Sequence, residues 1–237
     1  MAEVIAGIRV PDSKLAREAT DLVREHGTPL LLAHSLRVYL FGAIQGRHRG
    51  WAVDHELFYV GAMFHDLGLT ARYRSRDHRF EVDGANAARD FLRANGIDEG
   101  SAGVVWDAIA LHTTPEIPWH KRPEIALMNG GTAADVIGRG LDEIPVGDRE
   151  AVLAAYPRVD FERGIVRAFA DGFGYRPETT FGTMNTDILE RTQPSYRRTN
   201  LCDLIAANPL GGDGPGPSSP RRPGIPRTLR PTGVSAC

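Results

Sequence analysis

Apolar residues recur at intervals of three and four over most of this chain, the spacing that lines one face of a helix. Over about 12–207 the pattern divides into helices separated by short breaks. The first carries Leu15, Ala19, Leu22 and Val23 on one face and ends at the Gly27-Thr28-Pro29 break. A second covers about 30–44, with Leu30, His34, Val38 and Phe41 at helical spacing, before a polar turn at 46–50. A third, about 56–66, is almost wholly apolar on one side (Leu57, Val60, Gly61, Phe64), which predicts a central, buried element.

Beyond it, 67–79 reads as a loop bearing Arg72, Arg74, Arg76 and Arg79. Helices are predicted over about 81–94, 101–111 and 123–137, with a proline-bounded turn at 114–118, and then over about 148–156, 160–173 and 200–207. No strand-like alternation of useful length competes with them, and no internal repeat is visible. The fold class is therefore all-α, a single helical domain over 1–208. From Pro209 the chain turns to Gly, Pro, Ser and Arg with few large apolar side chains. Such a segment cannot offset its ordering entropy by burial, so 209–237 is predicted to be a disordered tail.

Composition narrows the partners. With 42% hydrophobic residues the domain can bury a real core, and a net charge of -2 provides no field to attract a polyanion, so nucleic acid is not expected as a ligand. Cys202 and Cys237 are too few for a disulfide framework or a thiolate cluster. A metal would have to be held by imidazole and carboxylate. No secretory signal and no bilayer-length apolar run is seen, which implies a cytoplasmic protein with no membrane partner. A small-molecule substrate is the expected partner, and a homo-oligomer is left open.

Four side chains stand out by their surroundings. His34 lies mid-helix among Leu30, Leu31, Val38 and Tyr39; His65 and Asp66 end the most apolar helix; Asp135 sits between Ala133-Ala134 and Val136-Ile137. A carboxylate among apolar neighbours is costly unless paired, hydrogen-bonded or bound to a cation. Asp135 alone reads equally as a cap or a partner of Arg139, its i+4 neighbour, and His34 alone as a bonded core histidine. Jointly, two imidazoles and two carboxylates suit a divalent ion such as zinc, iron or manganese.

The order His34, then His65-Asp66 about 30 residues on, then Asp135 about 70 further, resembles the metal-binding pattern of the HD-domain superfamily over roughly 30–138. The segments His34-Ser-Leu-Arg-Val-Tyr, Phe64-His-Asp-Leu-Gly-Leu-Thr, Arg79-Phe-Glu-Val-Asp-Gly-Ala and Ala108-Ile-Ala-Leu-His-Thr are together similar to the cyanamide hydratase branch. That resemblance implies an HD-type helical bundle, His34, His65, Asp66 and Asp135 as metal ligands, Zn2+ as the ion (Fe2+ or Mn2+ being alternatives), and addition of water to cyanamide to give urea. Leu69 stands where nucleotidase and alarmone-hydrolase branches usually carry a glutamate.

Around this set, Asp66, Glu81 and His112 are the candidate catalytic groups, and Phe64, Leu69 and Trp106 the candidate lining of an apolar pocket for a small uncharged substrate. His112 would also suit the dipole of a helix C-terminus and Glu81 that of an N-terminus. Arg37, one turn after His34, could support Asp66 or Asp135 or be a solvated charge. Two rival functions remain: a phosphohydrolase clamping phosphate with Arg72, Arg74, Arg76, Arg79, Lys121 and Arg122, and a non-catalytic ligand-binding HD module.

Overall fold

A computed structural model describes residues 3–209, so the predicted disordered tail, Pro209 apart, lies outside the described residues. A two-residue antiparallel ribbon, β1 (Val4–Ile5) and β2 (Ile8–Arg9), turns at Ala6-Gly7, both at positive φ. Strands this short leave no alternation to read, and the sequence pattern did not predict them. The helices are α1 (Lys14–His26), α2 (Pro29–His48), α3 (His55–Phe64), α4 (Phe80–Ala94), α5 (Glu99–Leu111), α6 (Pro123–Ile137), α7 (Val146–Ala155), α8 (Phe161–Phe173), α9 (Asn185–Thr192) and α10 (Leu201–Ala206).

Local chemistry sets several ends. The Ser13, Thr28, Asp54 and Asp98 side chains accept from first-turn amides of α1, α2, α3 and α5, and Pro29 and Pro123 open α2 and α6 where no amide is needed. Two of the boundaries that differ from expectation bear on the site. α2 continues through Gly46 to His48, because Gly46 packs under the Leu127 side chain instead of turning. α3 stops at Phe64, leaving His65 as its C-cap and Asp66 just outside. α9 was not anticipated at all.

α2 is the central rod, buried from His34 through Gly46. It lies unusually close to α6, because a methyl group on Gly131 would collide with the Val38 carbonyl and one on Gly42 with the Leu127 carbonyl. Gly130 and Gly131 are thus packing glycines. α4 crosses the end of α3 equally closely, with Gly84 against the carbonyls of Phe64 and His65, and Gly68 against that of Phe80. Leu69, Phe80, Phe173 and Leu189 form a second apolar cluster that joins α8 and α9 to this crossing. No described helix is long and apolar enough to cross a membrane.

Candidate metal centre

Two histidines are oriented by the same device. His65 caps α3 and His112 caps α5, and each turns its Nδ1 back to the carbonyl three residues earlier, Ala62 at 2.7 Å and Ile109 at 2.6 Å. His34, mid-way along α2 with no free carbonyl beside it, uses Asp135 on α6, with Nδ1 2.6 Å from Oδ2. An imidazole that donates through Nδ1 presents a lone pair at Nε2 when neutral. Those Nε2 atoms converge. His34 Nε2 lies 3.1 Å from His65 Nε2, and the two are 3.5 and 3.4 Å from Asp66 Oδ2. His112 Nε2 lies 3.8 Å from Asp66 Oδ1.

Asp66 is 2% exposed, and among the described residues neither of its oxygens has a hydrogen-bond partner. A buried carboxylate without donors, faced by three imidazole nitrogens, is costly in itself. A divalent cation relieves both the orphaned oxygens and the opposed lone pairs, so the donor set fits one. His34, His65 and Asp66 each offer a ligand atom within 4.8 Å of the others.

Charge follows geometry. Burial pushes His34 below its ordinary pKa, and burial together with the neighbouring His65 takes His112 down to about 4. His65 moves the other way, because Asp66 outweighs the opposing effect of burial. Burial would raise Asp66, but the surrounding imidazoles hold it well below the usual carboxylate range.

Asp135 is fully buried and stands behind His34. Arg37 grips it through Nε to Oδ1 and Nη2 to Oδ2, both at 2.8 Å, and Arg158 donates to its backbone carbonyl at 2.6 Å. Arg37 therefore pairs with Asp135 and is not a solvated charge. Glu81, also buried, accepts at Oε1 from Arg79 Nη2 (2.8 Å), Thr113 Oγ1 (2.6 Å) and Asn185 Nδ2 (3.0 Å). Among the described residues its Oε2 has only Arg79 Nε at 3.3 Å. Burial would raise Glu81, but Arg79 outweighs it and keeps the carboxyl low.

The expected pocket lining is only partly assembled. Leu69 packs with Phe80, whose ring meets His112 edge-on at 5.6 Å. Phe64 instead packs its ring on Phe91 at 5.0 Å, and Trp106 gives its indole N–H to Asn86. Neither contact is with the convergent group. Adjacent helix positions project about 100° apart, so the residue before His65 faces different neighbours. His78 is exposed, and its carbonyl accepts from the buried Arg176.

Three residues escaped the sequence reading. The Phe161 ring lies 5.3 Å from that of His34, Asn185 holds Glu81, and the Thr132 hydroxyl, one turn before Asp135, is buried without a partner among the described residues. Only Thr132 had a signal, its i−3 relation to Asp135 on one helix face.

Residues 31–149 match the HD domain family, and the chain belongs to it. Within that class of metal-dependent hydrolytic proteins, it is similar to cyanamide hydratase DDI2 and cyanamide hydratase DDI3 of Saccharomyces cerevisiae. Each is 26% identical over 153 residues, covering 63% of this chain and 68% of the relative.

Proposed function

We propose that this protein adds water to a small nitrile, with cyanamide as substrate and urea as product, on a divalent ion held by His34, His65 and Asp66. Asp135, the fourth ligand that the resemblance implies, instead bonds His34 Nδ1 in this structure and orients that imidazole. The observation that carries the reading is the pair of orphaned Asp66 oxygens facing three imidazole Nε2 atoms. A zinc-type ion supplies Lewis acidity and lowers the pKa of water at that position toward neutrality, and Fe2+ or Mn2+ would suit the same ligands.

The protein's groups handle protons and orientation. His112, with its depressed pKa, is neutral near pH 7 and offers Nε2 as a proton acceptor toward Asp66. It takes a proton from water as the water oxygen bonds to the nitrile carbon and one π bond of C≡N breaks. It then returns a proton to the nitrile nitrogen, and the hydroxy-imine tautomerises to the amide. Glu81 stays ionised, and its less occupied Oε2 accepts from the amino group of cyanamide.

Burial favours a small neutral substrate over a nucleotide. His34, His65, Asp66 and His112 are all 2% exposed or less. Several cations of the rival phosphate clamp are engaged elsewhere: Arg74 with the Asp171 carbonyl, Arg79 with Glu81, Lys121 with Asp107. The test is urea formation from cyanamide by protein of measured metal content, beside His65→Ala. Urea from the parent and none from the variant is the expected result. A fully metal-loaded parent that makes no urea sinks the substrate assignment, and aryl phosphate would then be tried.

A further inference from the structure

The family match ends at residue 149, yet α8 reaches His34 and α9 reaches Glu81. Phe161 covers His34 and lies under the guanidinium of Arg37, 4.8 Å from its ring centroid. Phe173 stacks on Phe80 at 5.9 Å, and Gly172 packs directly on Leu69. Arg176, itself buried, donates to the Gly68 and Gly172 carbonyls and to Asp83. Most of these contacts are packing or anchoring. Asn185, the first residue of α9, is different, because its side-chain amide is bonded to a buried candidate catalytic group, Glu81, across 104 positions of chain.

The bond, together with that from Thr113 Oγ1, distinguishes the two oxygens of that carboxylate. A carboxylate oxygen has about two lone pairs. Among the described residues, Oε1 already meets three donors, from Arg79, Thr113 and Asn185, whereas Oε2 meets only the 3.3 Å contact from Arg79 Nε. Arg79 touches both oxygens and cannot by itself bias the carboxylate, and its side chain is one-third exposed. Asn185 is 5% exposed and neutral, so it biases orientation without altering the charge.

We propose that Asn185 is a positioning residue through which the segment beyond the HD match orients Glu81, turning Oε2 toward the substrate. The site then selects a small neutral molecule with an N–H to donate. The inference rests on the reading that Glu81 meets substrate in this site.

The experiment uses four full-length proteins: the parent, Asn185→Leu, Glu81→Ala and the double variant, with Asn185→Ser in reserve should the leucine variant fail to fold. Metal content, urea formation and the thermal midpoint of the metal-free form are measured for each. Asn185→Leu is expected to keep its metal and lose about tenfold in kcat/KM, the scale for removing a hydrogen bond to a charged group. The double variant should be no slower than Glu81→Ala alone, and Asn185→Leu should lower the midpoint less in the Glu81→Ala background than in the parent. Losses that multiply in turnover, or midpoint shifts that simply add, would overturn the proposal, as would full activity in Asn185→Leu. A metal-loaded parent that makes no urea refutes the hydratase reading instead. The midpoint cycle then still decides whether Asn185 orients Glu81.

Discussion

His34 Nδ1 and Asp135 Oδ2 lie 2.6 Å apart across 101 positions of chain, and this bond decides which nitrogen of His34 faces Asp66. It exists because glycines let α2 and α6 touch backbone to backbone. Replacing Asp135 by Asn keeps the shape and an acceptor for Arg37 but removes the charge that makes the imidazole a strong base. Loss of such a partner typically costs about 10–100-fold in metal affinity, and that is the expected result for Asp135→Asn in a chelator competition. Asp135→Ala should do more, because Arg37, 1% exposed, would lose its counter-ion. A further loss of about 3–5 kcal/mol of stability is expected in denaturant unfolding. Native metal affinity in Asp135→Asn would contradict the role.

Metal uptake should release a proton. In the metal-free protein the pKa of His65 is raised above its ordinary 6.5, with Asp66 outweighing burial. The sign follows from linkage: protonation of His65 stabilises the fold fully below the unfolded value and is lost as pH rises through the folded one. A cation needs the Nε2 lone pair, so between those two values binding expels this proton and affinity climbs with pH. His112, lowered to about 4, is neutral throughout this window and contributes none. Calorimetry near pH 6.5 in two buffers of different ionisation enthalpy should report net proton release on binding. A binding enthalpy independent of buffer would contradict this.

The helical frame was legible because its cause is local. The apolar spacing of Leu15, Ala19 and Val23, or of Leu57, Val60 and Phe64, reports burial directly, and those helices stand where the pattern put them. The convergent set was legible because His34, His65 and Asp66 are polar residues stranded in apolar segments, a conflict that a cation resolves. What failed was direction and distance. Phe64 and Trp106 were assigned by nearness in sequence, but whether a side chain faces the centre depends on helix phase and on partners such as Phe91 and Asn86. α9 hid because it is a short, polar stretch whose buried residues are Asn185, Thr186 and Leu189, with Leu189 as the one buried apolar side chain. The tie from Asn185 to Glu81 is a tertiary fact with no local trace.

Gly131 offers a test of the frame that touches no reacting group. Its hydrogen faces the Val38 carbonyl, and a methyl there has no room against backbone that cannot swing aside. Gly131→Ala should force α6 away from α2 and cost about 1–3 kcal/mol or more, the range for overpacking a core. Because the same separation stretches the bond between His34 and Asp135, metal affinity should fall with stability. Gly103, on α5, faces open space, and Gly103→Ala should leave both unchanged or slightly improve the helix. Equal behaviour of the two variants would mean that close approach of α2 and α6 is not what builds the site.

Arg176 makes the last prediction. Its guanidinium joins Asp83 on α4, the Ser75 and His78 carbonyls of the arginine-rich loop, the Gly68 carbonyl after the His-Asp pair, and the Gly172 carbonyl of α8. Removing it leaves Asp83, 6% exposed, with the Ser75 amide as its remaining hydrogen-bond donor among the described residues. Breaking a buried pair from one side costs about 3–5 kcal/mol, so Arg176→Met should be strongly destabilised in urea unfolding. The cost lies mainly in the stranded charge, so Arg176→Met combined with Asp83→Leu should recover much of it. Activity should not recover in step. The double variant regains stability but still lacks the link between the loop after Asp66 and α8, so its metal content should return while urea formation stays low. Recovery of both together would reduce Arg176 to a folding element with no bearing on the site.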